Sequence, residues 1–165
     1  MNEMSRGAMT IEAPKYRAVL GHFASGVAIV AAMSPTGPVG LTCQSFFALS
    51  LDPPLVAIAA GRNSTSWPRV AEVGAFCVNV LANDQELVCR GFAVPGADKF
   101  SGVRWTPTAS GSPRIEGVLA WLDCTVERVD PAGDHYLVIG RVHDLGSSTG
   151  DPLLFYRSGF GTFSE

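Results

Sequence analysis

The chain has 165 residues, of which 47% are hydrophobic and 16% charged, with a formal net charge of −3. That length gives one domain a sizeable core and is short for two, and without a Lys/Arg cluster the chain has nothing to neutralise a series of phosphates, which argues against nucleic acid as the main partner. No apolar run approaches the roughly 18 residues of a membrane span, and the first residues lack the basic start and apolar core of a secretion signal, so a cytoplasmic protein is expected.

Residues 1–12 read as a flexible leader and 13–165 as the domain. Tyr16, Val19, Leu20 and Phe23 fall at i, i+3, i+4 and i+7, one face of a helix that Ser25-Gly26 ends. Residues 27–33 are apolar and β-branched, and the turn formers at 34–38 predict a hairpin returning through 39–43. A strand over 55–60 follows Pro53-Pro54, and the polar loop 61–66 leads to a helix over 67–73, whose Pro68 suits a first turn. A strand over 75–81 precedes a short helix over 84–92, capped by Asn83 or Asp84.

Residues 93–112 are broken by Pro95, Gly96, Pro107 and Gly111 and read as an irregular functional loop. Strands over 118–128 and 135–145 follow, joined by a turn at 130–134, and 153–156 adds a last strand. Six or seven strands in adjacent hairpins, against two or three short helices, predict a mainly β fold, a closed antiparallel split barrel of Greek-key type. Closure would leave no sticky edges.

Four cysteines, Cys43, Cys77, Cys89 and Cys124, sit in or near apolar segments with no C-x-x-C. Their spacing leaves a disulfide open; the expected reducing compartment favours buried free thiols. Three histidines and four cysteines show no metal-ligand spacing, so no metal is expected.

Within residues 40–54, Thr42, Gln44, Ser45 and Ser50 are interleaved with Phe46, Phe47, Leu49 and Leu51. A flat aromatic cofactor with one polar edge needs this mixture, although an ordinary strand and turn offers the same residues. The loop 61–66 contains Arg62, Ser64 and Thr65, donors suited to a phosphate, or equally an N-capping loop for the helix behind it. His135 follows Gly133-Asp134, a tight turn that would aim its imidazole outwards.

Phe23-Ala24-Ser25-Gly26-Val27, Gly40-Leu41-Thr42 with Gln44-Ser45-Phe46, Leu49-Ser50-Leu51-Asp52-Pro53-Pro54, Phe76-Cys77-Val78-Asn79-Val80-Leu81, Asp98-Lys99-Phe100 and Gly133-Asp134-His135 occur in this order. Over nearly the whole chain this resembles the short-chain flavin reductase family, flavin-binding split barrels that supply two-component monooxygenases. CQSF, FCVNVL, LDCTV and PLLFYR are most similar to the reductase components of monooxygenases acting on phenols of steroid-ring degradation.

The resemblance implies NADH or NADPH as donor and FMN or FAD as acceptor, with hydride passing from nicotinamide C4 to flavin N5. It implies that Ala31, Ala32 and Met33, with Gly40, Leu41, Thr42, Cys43, Gln44, Ser45 and Phe46, line the flavin ring. Ser50 and the loop residues Gly61, Arg62, Asn63, Ser64, Thr65 and Ser66 would reach the ribityl and phosphate, with Lys99 and Phe100 covering the site. His135 and Tyr156 would position the nicotinamide dinucleotide, and no side chain need act as acid or base.

A homodimer and an oxygenase partner receiving reduced flavin are implied too. Many relatives carry hydroxyl residues at Ala31-Ala32 and asparagine at Gln44, which shifts the polar contacts toward backbone. No G-x-G-x-x-G opens a helix after a strand, so a Rossmann domain is not expected. A passive flavin-storage module, and an oxidoreductase that keeps its flavin for its own substrate, remain the other readings.

Overall fold

The computed structural model describes residues 11–96 and 98–163; the expected leader lies, up to residue 10, outside them. The elements run α1 (Ala13–Leu20), β1 (Ser25–Gly26), β2 (Ala28–Ser34), β3 (Gly37–Cys43), β4 (Phe46–Leu51), β5 (Pro54–Gly61), α2 (Trp67–Val73) and β6 (Ala75–Val80). They continue with α3 (Glu86–Ala93), β7 (Trp105–Pro107), β8 (Pro113–Ile115), β9 (Ala120–Ala132), β10 (His135–Ser147), β11 (Leu154–Tyr156) and β12 (Gly159–Gly161). The fold is mainly β, as expected, and every strand pair is antiparallel.

Seven strands form the main sheet in the order β3-β2-β6-β9-β10-β5-β4. On β2, Ala28, Val30 and Ala32 join an inner core with Leu41, Ile58, Phe76 and Val138, while Ile29 and Ala31 join an outer core with Leu81, Phe92, Phe100 and Ile115. Both faces of β2 are buried, which is why its sequence is a continuous apolar run without alternation. Leu41 on β3 and Ile58 on β5, near opposite ends of the strand order, share the inner core, so the sheet is rolled around it.

The expectation of a closed barrel is corrected: β3 and β4 are the two edges of the sheet, and no ladder joins them. The chain passes from one to the other through Gln44 and Ser45, neither of which has the positive φ of a two-residue hairpin. The strand therefore runs on instead of turning back, and the Ser45 carbonyl accepts the Ala59 N–H at 3.1 Å. β4 itself is absent from the expected strands, because Phe47, Ala48 and Leu49 are all exposed and leave no period of two.

Asn79 holds the outer layer in place. It is fully buried, its amide donates to the carbonyls of Pro113 (3.1 Å) and Ile29 (3.4 Å), and its Oδ1 accepts the Ile115 N–H at 2.8 Å. One side chain so ties β8 to β6 and β2. Residues 93–112, expected to be irregular, thus contain β7, which pairs with β8 over Trp105↔Ile115.

Smaller corrections follow local chemistry. α1 ends at Gly21, and Ser25–Gly26 forms β1 instead of a helix stop. α3 starts at Gln85, not Asn83 or Asp84; the Gln85 side chain instead accepts the Ala82 N–H and donates to the Glu116 carbonyl. The β9–β10 turn shrinks from five residues to Gly133-Asp134, with Gly133 at φ 62°. Pro131 is tolerated within β9 because β6 pairs only with residues 120–125, leaving that end of β9 one neighbour fewer.

Candidate functional site

Two adjoining clefts lie along β3, the first at its junction with β4 and the second at the β2–β3 turn. The first, about 460 Å³, is walled by Leu41, Thr42 and Cys43 of β3, the Gln44-Ser45 junction, Gly61, Asn63, Ser64 and Thr65, with Phe92, Ala93, Pro95, Lys99 and His135 completing it. The second, about 470 Å³, lies against Thr36, Pro38, Val39, Gly40, Ser66, Arg69 and Asp98, and shares Thr65 and Lys99 with the first. Both are within the usual size of small-ligand pockets.

Lys99 forms the partition. Its ammonium donates to the Gly40 carbonyl (3.2 Å) and to Ser66 Oγ (3.0 Å), and burial lowers its pKa from the usual lysine value. Gly40 must be glycine here: a Cβ would lie 2.7 Å from a ring carbon of Phe92 and 3.1 Å from the Val30 carbonyl. α3 is thereby seated directly on β3 and its last turn brought over the first cleft.

The loop 61–66 is built by its own serine. Ser64 Oγ accepts the N–H groups of Ser66 (3.3 Å) and Trp67 (3.1 Å), so the capping and ligand readings of this loop coexist. Two amides expected to face a phosphate are engaged in the cap, while Asn63, Ser64 and Thr65 still wall the first cleft. Arg62, expected as the phosphate fork, lies outside both cleft walls; its guanidinium stacks 5.2 Å from the Tyr136 ring centroid and its N–H donates to the Asp134 carbonyl. The cations at the clefts are Lys99 and Arg69.

Arg69 escaped the sequence reading. Its Nη2 donates to Ser34 Oγ and Thr36 Oγ1, each at 2.9 Å, fixing the guanidinium to the β2–β3 turn. The available signal was its place directly after Trp67-Pro68, in the first turn of the helix that the polar loop enters. Phe92, at the end of the expected helix over 84–92, and Ala93 and Pro95, in the stretch expected to be an irregular functional loop, also wall the first cleft, although nothing in those residue types singles them out.

His135 opens β10 opposite Gly61 and lines the first cleft together with Lys99. Its Nδ1 is 2.7 Å from Asp134 Oδ1, and that hydrogen bond holds the Asp134 carboxyl below the usual carboxylate range.

Several expected residues stand elsewhere. Ala31 and Ala32 are fully buried in the outer and inner cores and line neither cleft. Met33 is half-buried on β2, and Ser50 is half-buried on the edge strand β4; neither lines these clefts. Phe46 borders a separate apolar groove of about 280 Å³ with Phe23, Val27 and Phe47. Phe100 is a core residue packed edge-on to Phe92 at 4.9 Å, and Tyr156 is exposed on β11. Thr42 keeps its place in the cleft wall, but its hydroxyl donates to the Cys89 carbonyl at 2.8 Å, which spends the side chain on packing.

All four cysteines are free and buried, as expected. Burial pushes the Cys43 thiol up to about 11 and those of Cys77 and Cys124 up to about 12, which makes them inert packing groups at neutral pH. Among the described residues no group of three His, Cys, Asp or Glu is arranged to hold a metal, and no helix is long and apolar enough to cross a membrane.

The model of the flavin reductase like domain matches residues 20–164. The chain belongs to that family. It is 50% identical over 151 residues to a flavin reductase of Pseudomonas putida, covering 90% of this chain and 89% of the relative. It is 45% identical to the reductase subunit HsaB of a flavin-dependent monooxygenase from Rhodococcus jostii, covering 91% and 77%. Among solved structures, a nitrilotriacetate monooxygenase component B homologue from Mycobacterium thermoresistibile superposes with a TM-score of 0.89 at 44% identity, over 92% of this chain and 86% of the other. The flavin reductase PheA2 superposes with a TM-score of 0.85 at 28% identity, over 94% of this chain and 100% of the other, so the family and the rolled antiparallel sheet agree.

Proposed function

We propose that the protein is an NAD(P)H-dependent flavin reductase that supplies reduced FMN or FAD to a separate oxygenase component. The observation that carries this is the first cleft, which brings residues 41–45, the polar loop residues 63–65, His135 and Lys99 around one space. The donor set fits a flavin. The Gln44-Ser45 junction has left the β3 ladder and brings main-chain groups to the cleft, which offsets the absence of hydroxyls at Ala31-Ala32.

A bound flavin supplies the redox chemistry, accepting hydride at N5 from a nicotinamide. The chain's own residues bind and orient. The main chain of residues 42–45 meets the ring edge, Asn63, Ser64 and Thr65 take the phosphate with Lys99 as counter-charge, and His135, braced by Asp134, positions the nicotinamide dinucleotide. Tyr156, exposed and remote from the cleft walls, is assigned to the same dinucleotide only through the family resemblance.

The homodimer is supported by large apolar side chains left exposed, Phe23 and Phe47 bordering one groove. Phe23 is 84% exposed, Leu51 95% and Phe47 50%, and the last two lie on β4, an unpaired sheet edge that would invite aggregation unless covered. Tyr16, Val19 and Leu20 of α1 are exposed as well, so that helical face is uncovered among the described residues. The four reduced thiols accord with a cytoplasmic location.

The test is a steady-state assay crossing NADH and NADPH with FMN and FAD. Nicotinamide oxidation that depends on added free flavin is the expected result. Tight flavin binding with no bleaching by either nicotinamide would leave only a storage role.

A further inference from the structure

We infer that the second cleft is the seat of the adenylate half of FAD, with Arg69 as the residue that makes the chain prefer FAD to FMN. This rests on the flavin reading of the first cleft. The path of the chain sets the order of the subsites: residues 61–66 begin beside His135 and end at Lys99, so Ser64 and Thr65 meet the flavin's own phosphate next to the partition. Thr65 and Lys99 wall both clefts, so a group attached to that phosphate continues past Lys99 into the second cleft, away from His135. FMN ends at the partition; FAD carries a further phosphate and an adenosine.

The second cleft is equipped for that phosphate. Arg69 uses Nη2 on Ser34 and Thr36, which fixes the plane of its guanidinium while Nε and Nη1 remain for an anion. Among the described residues no carboxylate stands at ion-pair distance from Arg69 or Lys99. The cleft does hold one acidic group, Asp98, whose charge opposes an anion there, so two cations face one carboxylate. Thr36, Pro38 and Val39 border the same space and offer a hydroxyl and an apolar edge of the sort an adenosine needs.

The adenylate of NADH has the same chemistry, and the two sources are separable. FAD and FMN dissociation constants are measured by flavin fluorescence for the wild type, Arg69→Gln and Asp98→Asn, together with the KM for NADH using FMN as acceptor. Wild type should bind FAD about tenfold more tightly than FMN, since one charge-assisted contact is worth that much. Arg69→Gln should bring the two constants toward equality, and Asp98→Asn should widen the gap.

Equal affinities in the wild type, or a ratio unmoved by Asp98→Asn, overturn the inference even if Arg69→Gln fails to fold. So does an Arg69→Gln protein that keeps its FAD preference while its KM for NADH rises, which would give the cleft to the nicotinamide dinucleotide. Binding of neither flavin by the wild type would instead remove the reading of the first cleft on which this one stands.

Discussion

The His135 imidazole is tied to its sequence neighbour, Nδ1 to Asp134 Oδ1 at 2.7 Å, and its Nε2 faces Gly61 across the sheet, 3.8 Å from where a Cβ on that glycine would stand. The carboxylate therefore sets which way the ring points, and His135 and Gly61 both line the first cleft. His135→Ala should raise the KM for NADH about five- to tenfold, the worth of one hydrogen bond, while the KM for flavin moves about twofold or less. Steady-state kinetics with each substrate varied in turn checks this; an unchanged KM for NADH would take His135 out of the site.

Asn79 offers a test of the fold. Replacing it with alanine strands the Ile115 N–H and the Pro113 carbonyl in a buried layer. The expected loss is on the order of 3 kcal/mol of unfolding free energy, read from urea titrations, with the β7–β8 hairpin losing amide-exchange protection first.

The buried thiols predict alkaline sensitivity. Their folded pKa values, about 11 for Cys43 and about 12 for Cys77 and Cys124, exceed the ordinary 9.0, so the native state holds protons that the unfolded chain has released. Their stability contribution is whole below pH 9 and is lost progressively as pH rises toward 11–12. Urea midpoints should fall between about half a unit below the thiol's ordinary value and about a unit and a half above it, and the fall should be shallower in Cys124→Ala.

Covering of the β4 edge is testable by charge. If the wild type sediments as the proposed dimer, Phe47→Lys combined with Leu51→Lys should give a monomer by sedimentation velocity, since a lysine pair on an apolar edge opposes its own copy. A wild-type monomer at micromolar concentration would defeat the proposed assembly.

How legible all this was in the sequence depended on whether the signal was local. The hairpin β2–β3, helix α2 and the long pair β9–β10 are written in turn formers and apolar runs, and the structure keeps α2 to the residue and the two hairpins with shifted strand ends. β4 is not, because its exposed Phe47 and Leu49 lack a buried alternate face, and β7 is not, because a three-residue strand between prolines forms only once Asn79 anchors its partner. The cleft's hydroxyl loop was readable from composition. So was Lys99, but the second cation was not: Arg62 stood in the right loop yet stacks on Tyr136, whereas Arg69 reaches the second cleft through a helix turn that brings it to Ser34 and Thr36.

The Ser64 cap has a kinetic consequence. Because its hydroxyl already fixes the peptide groups of Ser66 and Trp67 before anything arrives, the loop has little conformational freedom left to surrender on binding. A visitor to such a rigid, open-mouthed seat neither waits for a closure to enter nor has to break one to leave, which suits a molecule whose product is meant to depart.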